Sequence, residues 1–162
     1  MYRCSKISVF MLVFLAFASK DAKSESKFPM LLKQTETLCA YFEPDTSSPR
    51  ASVGKEALDE LNSKTEIYNE CVTNLERLNS LYMNFELYGL ITENKKRVIG
   101  TKLIKVSVDA TSQSLLNSIS LIDLSTKNIS NPDYLKRSSL LKMSFKRITV
   151  IISELFNSGV EM

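Results

Sequence analysis

The sequence predicts an all-α protein, a four-helix bundle around one core. Three observations predict it. Four glycines and four prolines in 162 residues are too few for the turns of a β architecture. Apolar residues recur at steps of three and four along several long stretches, which gives each stretch one apolar face as a helix. The length suits one domain with a single core.

The chain opens on an expected export signal, residues 1–18. Arg3 and Lys6 precede an apolar run from Ile7 to Ala18 that closes on Ala16-Phe17-Ala18, the small-x-small pattern of signal cleavage. That run is too short to span a bilayer, which takes about 20 residues as a helix. Cleavage nearer Ser24 is the alternative. Removing 18 of the 162 residues leaves a domain of 144, residues 19–162. It also takes Arg3 and Lys6 from the 21 basic side chains, so 19 stand against 18 acidic ones. That balance lacks the basic excess of a nucleic-acid binder. No second apolar run of membrane length follows. The expected product is secreted, extracellular and not inserted in a membrane.

A first helix is expected over Phe28–Phe42. Phe28, Leu31, Leu32, Leu38, Cys39 and Phe42 form its stripe, Pro29 suits a first turn and Pro44 stops it. Glu43 to Gly54 reads as a loop, with Lys55 to Leu61 a minor helix inside the connection. The second long helix carries Tyr68, Cys71, Leu75, Leu78, Tyr82 and Phe85, widened by Leu81 and Tyr88, and should end near Gly89 or Asn94. A third, from about Glu93 to Leu121, would use Ile99, Leu103, Val106 and Ala110. Its β-branched residues and Gly100 weaken it, and a strand over Leu103–Val108 competes. The fourth begins at Pro132, capped by Ser130 or Asn131 with Asp133 at its positive end. Its stripe is Tyr134, Ser138, Leu141, Phe145, Ile148, Ile152 and Leu155, and Gly159 supplies a stop. Between the first two long helices the expected link exceeds twenty residues. A link that long could run the length of the bundle, making those helices parallel, in the up-up-down-down order.

Cys4 leaves with the signal, so Cys39 and Cys71 remain. In an oxidising compartment such a pair reads as one disulfide; two separate buried thiols are the alternative. The chain has no histidine. That removes the usual general base, the commonest metal ligand and the histidine-dependent triads. No phosphate-cradling glycine loop is present. The expectation is a protein that is no enzyme and holds no metal or cofactor. Asn128-Ile129-Ser130 is a glycosylation acceptor in the loop before the last helix. That helix also carries Lys136, Arg137, Lys142, Lys146 and Arg147. They are either an ordinary solvated face or a docking surface for an acidic partner.

Three stretches resemble the interleukin-6-type cytokines, in the branch of the interleukin-23 and interleukin-12 alpha subunits. They are Leu31-Leu32-Lys33-Gln34-Thr35-Glu36-Thr37-Leu38-Cys39-Ala40, then Cys71 with Leu75, Leu78, Tyr82 and Phe85, then Asn131-Pro132-Asp133-Tyr134 with the run Glu154 to Gly159. They cover somewhat under half of the chain. The resemblance implies a long-chain, up-up-down-down bundle acting as a secreted cytokine subunit in immune signalling. It implies pairing with an interleukin-12 beta-type subunit and engagement of cytokine receptor ectodomains. It also implies a beta-subunit contact at Lys142, Lys146 or Arg147, and a receptor contact at Tyr134. The family's further cysteine, which bonds to the beta subunit, has no counterpart between Cys39 and Cys71. Pairing would then be non-covalent, or Cys39 and Cys71 are not both intramolecular, or the chain sits in another branch. A different class, a helical carrier of lipid or a small hydrophobic ligand, is the alternative; a secreted helical inhibitor or effector is a third.

Overall fold

The structure, a computed structural model, describes residues 27–45, 54–89 and 94–160. The expected signal peptide, residues 1–18, lies outside them. Four helices make up the described chain: α1 (Lys27–Ala40), α2 (Lys55–Gly89), α3 (Asn94–Ser125) and α4 (Pro132–Val160), an all-α four-helix bundle.

Three of the expected elements stand close to where periodicity put them. α1 ends in a turn in which the Phe42 amide donates to the Cys39 carbonyl at 2.9 Å, tucking the Phe42 ring inward. α4 starts on Asn131, whose Oδ1 accepts from the amides of Asp133 at 3.1 Å and Tyr134 at 3.3 Å, as a helix cap does. It continues through Gly159, so that residue is not the stop. α3 is helical throughout its described length, and the competing strand does not form.

Two expectations need correcting. Lys55–Leu61 is not a separate minor helix but the first two turns of α2, which is therefore 35 residues long. The α1–α2 link shrinks accordingly to residues 41–54. The α3 stripe is also rotated from the expected one. Leu103 and Val106 are 54% and 67% exposed, and Ala110 is exposed as well, while Ile104, Val108, Thr111 and Leu115 point inward.

The shorter link changes the helix order. Phe28 stacks on Tyr82 with ring centroids 5.5 Å apart, and Cys39 is bonded to Cys71 with Cα atoms 5.7 Å apart. Moving forward along α1 therefore means moving backward along α2. The same reversal relates α1 to α4, through Thr35 against Ser144 and Phe42 against Tyr134. It relates α2 to α3, through Glu66 against Ser125 and Asn74 against Ser114. α3 and α4 are joined by a short turn, with Asp123 paired to Lys142 across it. All four neighbouring pairs are antiparallel, which makes the bundle up-down-up-down rather than up-up-down-down.

The interior has two chemistries. Where α1 and α4 meet α2 it is apolar and aromatic: Phe28, Phe42, Tyr134, Phe145, Leu78 and Ile148 are all buried. The α2–α3 seam is polar. There Arg77 donates to the Ser114 hydroxyl, Ser114 to Asn74 Oδ1 at 2.8 Å, Asn74 to the Ser118 hydroxyl at 2.7 Å, and Ser118 to Glu70 Oε2 at 2.9 Å. Every donor in this chain points the same way, from a guanidinium to a carboxylate, an order in which successive bonds polarise one another. Satisfied in this way, the buried Asn74 and Ser118 cost far less than isolated polar groups would.

Candidate partner-docking surface

The expected site residues of α4 separate by helical phase. Tyr134 is fully buried. Its hydroxyl shares a 2.6 Å hydrogen bond with Ser63 Oγ, and its ring meets Phe42 edge-on at 5.5 Å. Burial, reinforced by the nearby Glu60, Tyr41 and Glu66, pushes its phenol up to about 12 against the opposing Ser63 bond. A ring enclosed on this scale offers no surface to a receptor, so Tyr134 holds α4 to α1 and α2 instead. Its neighbourhood is self-contained. Tyr41, half-buried, has the Arg137 guanidinium 4.9 Å and the Lys64 ammonium 5.5 Å from its ring centre. Burial first, and then its hydrogen bond with the Asp133 carboxylate, raise the Tyr41 phenol.

The five cations of α4 fall into two groups. Arg137 lies 3.7 Å from Asp133 as well as over Tyr41, and Lys142 is half-buried and paired with Asp123. These two serve the bundle. Lys136, Lys146 and Arg147 are exposed, and among the described residues no carboxylate pairs with them. From Tyr134 to Ser153 α4 contains no Asp or Glu at all. The expected beta-subunit contacts are thus split: Lys146 and Arg147 face outward together, whereas Lys142 is already engaged.

Sequence reasoning missed the apolar residues beside them. Leu140, Met143 and Val150 are 41%, 47% and 57% exposed. With Lys136 and Arg147 they lie at 136, 140, 143, 147 and 150, alternating steps of four and three that place all five on one stripe opposite the buried one. The signal was legible, because these residues are apolar yet fall out of phase with Tyr134, Leu141, Ile148 and Ile152.

Asn128 is exposed in the turn after α3, with Ser130 exposed and Ile129 between them anchored in the core. Two surface grooves lie among the described residues. One of about 540 Å³ between α2 and α3 is lined by Arg77, Asn84, Gln113 and Asn117 together with Leu81 and Ala110. One of about 310 Å³ between α1 and α2 is lined by Lys33, Glu36, Leu75 and Tyr82 among others. Among the described residues no group of three or more acidic or cysteine side chains is placed to hold a metal ion, and no helix is long and apolar enough to cross a membrane.

No protein-family model, curated protein or solved structure matches the chain.

Proposed function

We propose that this chain is an exported recognition protein of the cytokine-subunit kind, which acts by docking onto another protein through α4. The observation that carries the reading is the set of cations with no internal work. Arg137 and Lys142 are spent inside the bundle, but Lys136, Lys146 and Arg147 stand exposed with no carboxylate partner. Such charges speed encounter with an acidic surface and reject basic ones. The resemblance of the α4 segments to interleukin-12-type alpha subunits supports the same face. The helix order differs from that family's up-up-down-down bundle, so the likeness extends to helix sequences and not to connectivity. A lipid carrier is less well supported, since the α2–α3 groove is open to solvent and sets Arg77, Asn84, Gln113 and Asn117 beside Leu81 and Ala110, rather than enclosing an apolar chamber.

The test is co-expression with an interleukin-12 beta-type subunit from the same organism. Co-purification is expected, weakened at least tenfold by Lys146→Glu with Arg147→Glu, and more salt-sensitive in the wild type than in that variant. If the two proteins never co-purify and no receptor-bearing cell responds to the pair, the cytokine-subunit reading fails.

A further inference from the structure

We infer that the outer stripe of α4 is a seam for an acidic amphipathic helix of the partner protein. The inference rests on the docking role of α4 proposed above and adds the shape and chemistry of what docks.

Lys136, Leu140, Met143, Arg147 and Val150 repeat with the four-three spacing that keeps one line of side chains facing a second helix. They extend over about 21 Å at 1.5 Å per residue, two heptads. The order along the seam is cationic at Lys136, apolar at Leu140 and Met143, cationic at Arg147 with Lys146 beside it, then apolar at Val150. Its complement is a helix with carboxylates opposite Lys136 and Arg147 and apolar side chains opposite Leu140, Met143 and Val150. Arg147 favours such a partner, because its planar donors take a carboxylate in two parallel bonds.

Two other occupants fit less well. A second copy of this chain would bring the same cations, and α4 offers no carboxylate between Asp133 and Glu154 to meet them. Lys146 and Arg147 of both copies would be left without counter-charge. An anionic membrane would satisfy the cations, but surface helices insert a wide apolar face rich in large side chains. Here the wide apolar face is already in the core, and the exposed one consists of Leu140, Met143 and Val150, with no aromatic residue among them.

The probe is a designed 21-residue helical peptide with leucine at the seam positions and glutamate at the flanking ones, labelled for fluorescence anisotropy. Its lysine-flanked analogue is the control. The full chain is expected to bind the glutamate peptide at least tenfold more tightly than the lysine peptide. Met143→Glu and, separately, Lys146→Gln with Arg147→Gln should each weaken binding at least tenfold, the second also flattening the salt dependence. Lys33→Gln on α1 should change nothing. All these positions are exposed, so unchanged helicity by circular dichroism verifies the fold of each variant. Equal binding of the two peptides, or binding indifferent to Met143→Glu, overturns the helix seam; in the latter case charge-steered docking stands if the Lys146 and Arg147 changes still weaken co-purification in the co-expression experiment. A concentration-dependent dimer abolished by Met143→Glu would make a second copy the occupant and overturn the inference. So would binding to phosphatidylserine vesicles that Met143→Glu abolishes in the absence of any peptide binding.

Discussion

Tyr134, placed in the apolar stripe by periodicity and at a receptor contact by the resemblance, is a tie between three helices, and its chemistry gives two measurable consequences. Tyr134→Phe keeps the ring packed on Phe42 and removes the 2.6 Å bond to Ser63. It should cost about 1 kcal/mol in denaturant unfolding, while Tyr134→Ala should cost about 3–5 kcal/mol by opening a cavity. The second consequence is alkaline. A phenol ionises near 10.0 when unfolded and near 12 in the bundle, so the fold favours the neutral form. The stability this contributes is intact below pH 10 and is lost as pH rises toward about 12. The denaturant midpoint should fall across that window, and Tyr134→Phe should remove most of the fall; an equal fall in the variant would mean another group titrates. Asn128 makes a separate prediction. Its exposure in the turn leaves room for a glycan, so expression through a secretory pathway should give a mass increment that peptide-N-glycosidase removes and Ser130→Ala prevents.

The α2–α3 seam explains which elements could be read from sequence and which could not. Periodicity located α1, α4 and the C-terminal half of α2 because their inward positions are apolar: Phe28, Cys71, Leu78, Tyr134, Ile148. It failed where polar residues make up much of the inward face. Ser63 is buried in the first turns of α2, and Thr111, Ser114 and Ser118 are buried in α3. An apolar count passes over such residues. The start of α2 therefore reads as a minor helix in a loop, the α1–α2 link looks longer than it is, and parallel helices follow from that length. In α3 the same blindness selects Leu103, Val106 and Ala110, the face that water covers. What no stripe analysis can supply is the pairing of Asn74 with Ser114 and Ser118, because satisfied polar contacts depend on register between helices rather than on spacing within one. The seam is also testable as an element. Asn74→Ala cuts the chain of bonds between Arg77 and Glu70 in its middle and leaves two buried hydroxyls short of a partner, at a cost of about 1–3 kcal/mol. Asn69→Ala, on the exposed side of the same helix, should stay within about 0.5 kcal/mol. Equal effects at the two positions would mean the seam contributes nothing to stability.

For the whole molecule, the antiparallel order makes α1 the element with the most at stake in the disulfide. It has 14 residues, against 29 to 35 in the other three helices, and a helix that short is marginal in water without packing. It is held on α2 by the Phe28–Tyr82 stack near its start and the Cys39–Cys71 bond near its end. On α4 it is held by Thr35 against Ser144 and by Phe42 against Tyr134. An up-up-down-down bundle would separate Phe28 from Tyr82 by most of a helix length, so a ring-to-ring nuclear Overhauser contact between them is the direct check of helix order. The disulfide joins residues 32 apart, and on the chain-entropy account it stabilises the fold by about 3–4 kcal/mol. Cys39→Ala with Cys71→Ala, or reduction, should lower the unfolding free energy by that order. The loss should not be shared evenly. α2, α3 and α4 remain connected by the polar α2–α3 seam, the short α3–α4 turn and the packing of α3 against α4, none of which uses α1. Amide hydrogen exchange in the reduced protein should therefore accelerate first and most over residues 27–42, with α3 and the middle of α4 still protected, because the least-supported element opens at the lowest free energy. Uniform acceleration across all four helices would show instead that α1 is inseparable from the core and that the bundle opens only as one unit.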